Sequence, residues 1–207
     1  GGVIALHISN RFLLLDRVRR PLVMTSGNMS EEPIATGNEE ALARLAGIAD
    51  GFLLHDREIV SRYDDSVVRP TGVGPVLLRR ARGYAPLPLD LPVASPVPFL
   101  AVGPHLKNTF TLVHGRRAFV SQHIGDLENL ETLEHFHASL ERFKALFRIE
   151  PEAVVHDLHP GYFSTRVARE SGLRVLPAVQ HHHAHAAAVM AEYGRTGPVL
   201  ALAFDGV

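Results

Sequence analysis

An α/β fold is predicted by three features of the sequence. Apolar runs bounded by turn residues at 99–103, 153–157, 173–179 and 198–204 read as buried strands. Leu130, Leu133, Phe136, Leu140, Phe143 and Phe147 fall at helical spacing with charges between them, as core positions do. The two kinds of segment alternate, so the second half of the chain runs β-β-β-α-β-α-β-α-β.

The chain has 207 residues, room for one large or two small domains, and 46% of them are hydrophobic, enough to bury a core. A net charge of −1 argues against a general nucleic-acid or membrane surface. With no cysteine, neither a disulfide framework nor a thiolate zinc site is possible. No apolar run reaches about 18 residues, so no membrane-spanning helix is expected. Gly1-Gly2-Val3 lacks Met and a basic leader and starts as if inside a strand, and Asp205-Gly206-Val207 leaves a strand as abruptly. The expectation is a piece of a longer cytoplasmic protein.

In chain order, Pro21-Leu22-Val23-Met24 reads as a short strand opening into Thr25-Ser26-Gly27-Asn28. Thr25, Ser26 and Asn28 can donate to phosphate oxygens beside the Gly27 backbone, although many loops share this composition. Residues 38–49 form a helix, with Glu39 and Glu40 in its first turn, and 51–54 form a strand. Residues 62–69 and 75–78 pair as a hairpin across a Pro/Gly turn. Arg79, Arg80 and Arg82 either grip a triphosphate or make a solvated basic edge. Five prolines between 86 and 98 mark a stiff linker and the best domain boundary.

Strands follow at 99–103, 110–113 and 118–120, the first two joined by a polar loop in which Lys107 either faces a phosphate or is solvated. After the long helix, 153–157 is a strand, 166–171 a helix, and 173–179 the strand that delivers Gln180-His181-His182-His183-Ala184-His185. Four of the thirteen histidines lie in this run, and an alanine-rich helix continues to Gly194. If His181 is already helical, His181 and His185 share one face and can hold one metal ion. A plain polar helix start is the alternative. The residues argue against a zinc protease, because His182 stands where its motif needs glutamate. Asp205, at the end of the strand read over 198–204, either completes a metal site, orients a phosphate or is an ordinary turn residue.

Taken together, several motifs resemble the HypF carbamoyltransferases of nickel–iron hydrogenase maturation. They are Met24-Thr25-Ser26-Gly27-Asn28, Asp64-Asp65-Ser66-Val67-Val68-Arg69, Arg79-Arg80-Ala81-Arg82-Gly83-Tyr84 and Lys107-Asn108-Thr109. They continue with Ser121 to Asn129, His156-Asp157-Leu158-His159-Pro160, and the histidine run through Asp205-Gly206. The resemblance implies the C-terminal part of a YrdC-like domain over 1–91, a linker over 92–98, and the first lobe of an actin-like ATPase (TsaD-like) domain over 99–207. It implies ATP with Mg²⁺ and carbamoyl phosphate as substrates, a carbamoyl adenylate intermediate, and transfer to the C-terminal cysteine of HypE. Ser26 and Asn28 would contact the adenylate, with Ser66 and Arg69 near its phosphate. His181, His185 and Asp205 would hold a divalent metal, zinc or iron, while His182 and His183 receive no role. The acylphosphatase-like and zinc-finger regions of the family, and the second TsaD-like lobe, have no counterpart in the sequence. The expectation is that these 207 residues alone are not a competent enzyme. A related tRNA-modification enzyme of the threonylcarbamoyl-adenosine pathway, or a metal-binding module without catalysis, is the competing reading.

Overall fold

A computed structural model describes residues 15–205, apart from 24, 30, 31 and 73. The mid-strand start read at Gly1-Gly2-Val3 therefore lies outside the described residues, as do Met24 and Gly206. The chain divides into two compact units, Gly1–Asp64 and Asp65–Val207. Among the described residues no helix is long and apolar enough to cross a membrane.

In the first unit, α1 (Asn38–Leu45) begins where Glu40 accepts the Thr36 and Gly37 backbone N–H groups at 3.0 and 3.3 Å. Those two donors would otherwise be orphaned at the helix start. Arg44 and Arg62 both reach Glu40, and Arg44 also pairs with Glu32. The helix ends before the expected residue 49, because the Ile48 and Ala49 N–H groups both turn back onto Leu45 O. The strands read at 21–24 and 51–54 are corrected: residues 21–23 and 51–54 join no ladder, and Val23 and Leu53 are exposed. An apolar run becomes a strand only when a neighbour takes its backbone N–H and C=O groups, and none does so here.

The second unit opens with a hairpin, β1 (Val67–Thr71) antiparallel to β2 (Gly74–Arg79). β1 begins later than the expected residue 62. A six-stranded sheet follows, formed by β3 (Leu89–Asp90), β4 (Phe99–Ala101), β5 (Thr111–His114), β6 (Arg117–Val120), β7 (Ala153–Val155) and β8 (Arg174–Val175), in the order β3-β6-β5-β4-β7-β8. β4, β5 and β6 form the expected antiparallel meander, whereas β4, β7 and β8 run parallel. The proline-rich stretch lies along the edge of this sheet, with Leu91 N–H bonded to Arg116 O and Ser95 N–H to Gly115 O. An edge tolerates prolines because their missing donors would face outward.

α2 (Leu130–Phe147) starts at Asn129, whose side chain accepts the Thr132 N–H at 2.7 Å. Its buried stripe is Thr132, His135, Phe136, Ser139, Leu140 and Phe143. Leu130, expected in the core, is exposed because the stripe starts two residues later on another face. Phe110 meets Phe136 and Phe143 edge-on at 5.4 and 5.1 Å, and these rings join Leu100, Val102, Leu112, Leu127 and Val154 in the core. α3 (Phe163–Glu170) and α4 (His181–Glu192) complete the unit.

The strand read at 198–204 is a second correction. These residues join no ladder, and Leu200 and Phe204 are 94% and 96% exposed. Their apolar content suits a central strand, but a central strand is buried only by its neighbours.

Gly103 follows β4 at φ 70°, and a Cβ there would collide with Thr109 O. Beside it, fully buried Asn108 donates to Val102 O and Pro104 O, closing the loop. Gly103→Ala should therefore cost about 2–4 kcal/mol, combining a left-handed conformation with a backbone clash. Gly115→Ala, at φ 58° with open space around it, should cost only about 1–2 kcal/mol. Urea unfolding of the two variants checks the difference.

Candidate functional site

Ligands in sheets of this kind gather beyond the carboxyl ends of parallel strands. Here β4, β7 and β8 present three loops at that edge, carrying Lys107, Asp157 and the histidine run. The register of β8 against β7 shifts after Leu176, whose N–H bonds to Val154 O; the next N–H to reach β7 is that of Val179. Val154 pairs with Val175, but Asp157 bridges Val179, so three residues of one strand are matched by four of the other. Val179 N–H bonds to His156 O and Leu158 N–H to Val179 O, at 3.0 and 2.8 Å, which draws the next residues alongside Asp157.

α4 starts at once. The Gln180 side chain caps it by accepting the His183 N–H at 2.8 Å, while its amide contacts His182 Nδ1 at 3.0 Å. His182 thus has a part in the cap. Because His181 is the first helical residue, His181 and His185 lie one turn apart on one face. Their Nε2 atoms are 3.2 Å apart, and Asp205 Oδ2 lies 2.8 Å from the first and 3.3 Å from the second. Ligand atoms about 2.0–2.1 Å from a tetrahedral ion are separated by roughly 3.3 Å. The two imidazoles and the carboxylate therefore fit one divalent cation with little adjustment. His185 and Asp205, though not His181, also line a cleft of about 570 Å³ with Ala186, Val189, Met190 and residues 199–204.

Asp157, to which the sequence reading gave no role, stands behind this group. Its side chain is 8% exposed; Oδ2 lies 2.5 Å from His181 Nδ1, and Oδ1 accepts the His159 N–H at 2.8 Å. The hydrogen bond to Asp157 is the main cause holding the His181 pKa above its usual value. Burial opposes it, and the charges of Asp157 and Asp205 add to it. Metal uptake at Nε2 would compete with a proton there. A signal for Asp157 was available: an aspartate at the end of an expected strand is well placed to orient a histidine.

A wall of rings flanks His181. Tyr162 stacks on His159 at 4.2 Å and on His105 at 5.4 Å, and meets His181 edge-on at 6.3 Å. His105 accepts the Phe163 N–H through Nδ1, so its Nε2 carries the proton facing Glu128, 3.2 Å away. Lys107, on the same loop, is exposed at φ 47°, with its N–H bonded to Asp126 at 2.6 Å.

The other expected site residues are distributed over both units. Thr25, Ser26 and Asn28 lie in the first, where Thr25 and Ser26 are exposed and Asn28 donates to Met29 O and Glu32 O. Ser66, Arg69 and Lys107 lie in the second, and Arg69 is exposed on β1. Of the arginine trio, Arg80 donates to Tyr84 O and Leu87 O and Arg82 pairs with Asp65, so two of the three guanidinium groups hold the turn after β2. Burial lowers the Arg80 pKa, an effect that Glu192 opposes.

Residues 94–192 match the family described as HypF Kae1-like domain, and residues 5–81 match the Sua5, YciO and YrdC family described as telomere recombination. A carbamoyltransferase HypF from Synechocystis is 46% identical over 99% of this chain and 27% of its own length. HypF2 from Cupriavidus necator is 51% identical over 90% of the chain and 24% of its own. The chain thus spans about a quarter of the length of these curated relatives. The solved structure of full-length HypF in a phosphate- and nucleotide-bound form superposes with a TM-score of 0.90 at 48% identity, covering 95% of this chain and 31% of that one. HypF from T. kodakarensis gives 0.75 at 36% identity over 83% of this chain and 23% of that one.

Ser66 carries a structural load whatever it binds. Its hydroxyl donates to Arg82 O and accepts the Ala81 N–H, both at 2.9 Å. Ser66→Ala should destabilise the chain by about 1–3 kcal/mol, whereas Arg69→Ala should change stability by less than about 0.5 kcal/mol. Thermal melts of both variants check this before any binding defect is attributed to them.

Proposed function

The chain belongs to the carbamoyltransferase HypF family, and on that premise we propose that it carries parts of both sites of an ATP-dependent carbamoyl transfer in nickel–iron hydrogenase maturation. In this reading Thr25, Ser26 and Asn28, with Ser66 and Arg69, contact a carbamoyl adenylate made from carbamoyl phosphate and ATP with Mg²⁺. His181, His185 and Asp205 hold one divalent cation, zinc or iron, and Lys107 approaches a phosphate oxygen. The acceptor is the C-terminal cysteine thiol of HypE. The observation that carries the reading is the convergence of His181 Nε2, His185 Nε2 and Asp205 Oδ2 at 2.8–3.3 Å from one another. The nucleotide-bound state of the full-length relative supports the adenylate part.

The chemistry balances. A thiolate sulfur attacks the carbamoyl carbon, the C–S bond forms, and the C–O bond to phosphate breaks as AMP leaves with its electron pair. A bound divalent cation would supply Lewis acidity toward carbonyl or phosphate oxygens. The protein's share is position and charge. Asp157 holds His181 from behind, and the Tyr162 stack walls one side.

The test places this chain in the Synechocystis HypF in exchange for the stretch it matches. The chimera is expected to cleave ATP to AMP and pyrophosphate only with carbamoyl phosphate, and to carbamoylate HypE. His185→Ala should lower HypE carbamoylation roughly 100-fold or more while leaving adenylate formation within about threefold. AMP formation driven by threonine and bicarbonate, with no response to carbamoyl phosphate, would sink the reading in favour of tRNA modification. On the isolated chain, chelator competition should report Zn²⁺ affinity lowered about 100-fold or more by either His185→Ala or Asp205→Ala.

A further inference from the structure

We infer that Asp157 is a positioning residue: by accepting the proton on His181 Nδ1 it fixes the imidazole in the tautomer whose Nε2 lone pair faces His185 and Asp205. This rests on the proposed cation site and adds a residue to it.

A neutral imidazole carries its one proton on either nitrogen, and only the bare nitrogen can ligate. Nothing within the His181 side chain decides between the two. The structure supplies the decision from outside. Asp157 Oδ2 lies 2.5 Å from Nδ1, while Nε2 faces the other two ligand atoms. An ionised carboxylate accepts and does not donate; Asp205 also faces the ring, 2.8 Å from Nε2, but Asp157 is nearer and more buried, which assigns the single proton of the neutral ring to Nδ1. Asp157 is itself fixed. Its Oδ1 accepts the His159 N–H, its backbone bridges Val179, and its carbonyl oxygen lies 2.6 Å from His156 Nδ1. His185 has no such support: among the described residues its ring meets only His181 and Asp205, and its side chain is 57% exposed. The burial of Asp157 carries the point further. A carboxylate with an 8% exposed side chain loses hydration, and the His181 ring and the His159 N–H are what face it in return. A neutral side chain would fill that place more cheaply unless the proton on Nδ1 matters. Carboxylates behind metal-bound histidines act in this way and raise the basicity of the ligating nitrogen.

The test uses the 207-residue chain, wild type and Asp157→Asn. The substitution turns one acceptor oxygen into a donor, which either turns the His181 tautomer or frees the His159 N–H. Two readouts are needed: Zn²⁺ affinity by competition with a chromophoric chelator, and the ¹⁵N resonances of the His181 ring at alkaline pH without metal. The expected result is an Nδ1–H tautomer in the wild type that is lost in the variant, with Zn²⁺ affinity reduced roughly 10–100-fold. Asp157→Glu, which keeps the carboxylate, should recover part of that loss. A wild-type His181 ring in the Nε2–H tautomer overturns the inference even if Asp157→Asn fails to fold. So does a folded Asp157→Asn that keeps both wild-type affinity and tautomer, and in that outcome the cation site itself still stands. A wild-type chain that takes up no Zn²⁺, Fe²⁺ or Co²⁺ removes the cation site and the inference with it.

Discussion

The backbone bridge between Asp157 and Val179 is the contact on which the site depends. It lies where β7 and β8 resume their pairing beyond Leu176, with one extra residue taken up on the β8 side. A side chain on a strand alternates faces with every residue, so a slip of one residue redirects everything downstream. With the slip, Val179 docks beside Asp157, Gln180 caps a helix just beyond the shifted strand, and His181 enters that helix with its Nδ1 against the Asp157 carboxylate. Helical periodicity then places His185 without further help.

The electrostatic argument points the same way. Two carboxylates, Asp157 and Asp205, face the two nitrogens of one imidazole at 2.5 and 2.8 Å. Two negative charges that close are tolerable only with positive charge between them. The hydrogen bond to Asp157, with the charges of Asp157 and Asp205, accordingly raises the His181 pKa and favours its protonated form. A divalent cation on Nε2 supplies more charge and leaves the Nδ1 proton with Asp157, so the protonated state is a stand-in for the loaded one.

Much of this was legible in the sequence because it depends on local periodicity. The α2 stripe at Phe136, Leu140 and Phe143 and the pairing of His181 with His185 follow from spacing within one element, and the β4–β6 meander from short turns between consecutive apolar runs. The failures share a cause. Residues 21–23, 51–54 and 198–204 have the apolar content of strands, but strand formation depends on a partner that composition does not record. Leu130 was misplaced because helical spacing fixes a face only to within a residue or two, and the buried stripe includes polar Thr132, His135 and Ser139, which an apolar pattern passes over. Asp157 stands at a legible place, the end of an expected strand, but its partner was hidden for a different reason. Its partner is 24 positions away, and the contact is made by a one-residue slip that no periodicity predicts.

The three ligand side chains are not held alike, and this bears on how such a site would load. His181 is tied to the sheet through Asp157 and to the helix cap through its own backbone position. His185 is half exposed one turn further on, and Asp205 follows seven residues that pair with no strand. Affinity in a site of this kind comes from the ligands already in place, since each group ordered on binding subtracts its entropy from the gain. The fixed His181 is therefore the anchor, and His185 and Asp205 close on it. An anchor with a wrong tautomer offers a proton where a lone pair is needed, and neither of the other two ligands can compensate for that. The buried carboxylate behind the ring, rather than the number of histidines in the run, is what makes the group fit for a cation.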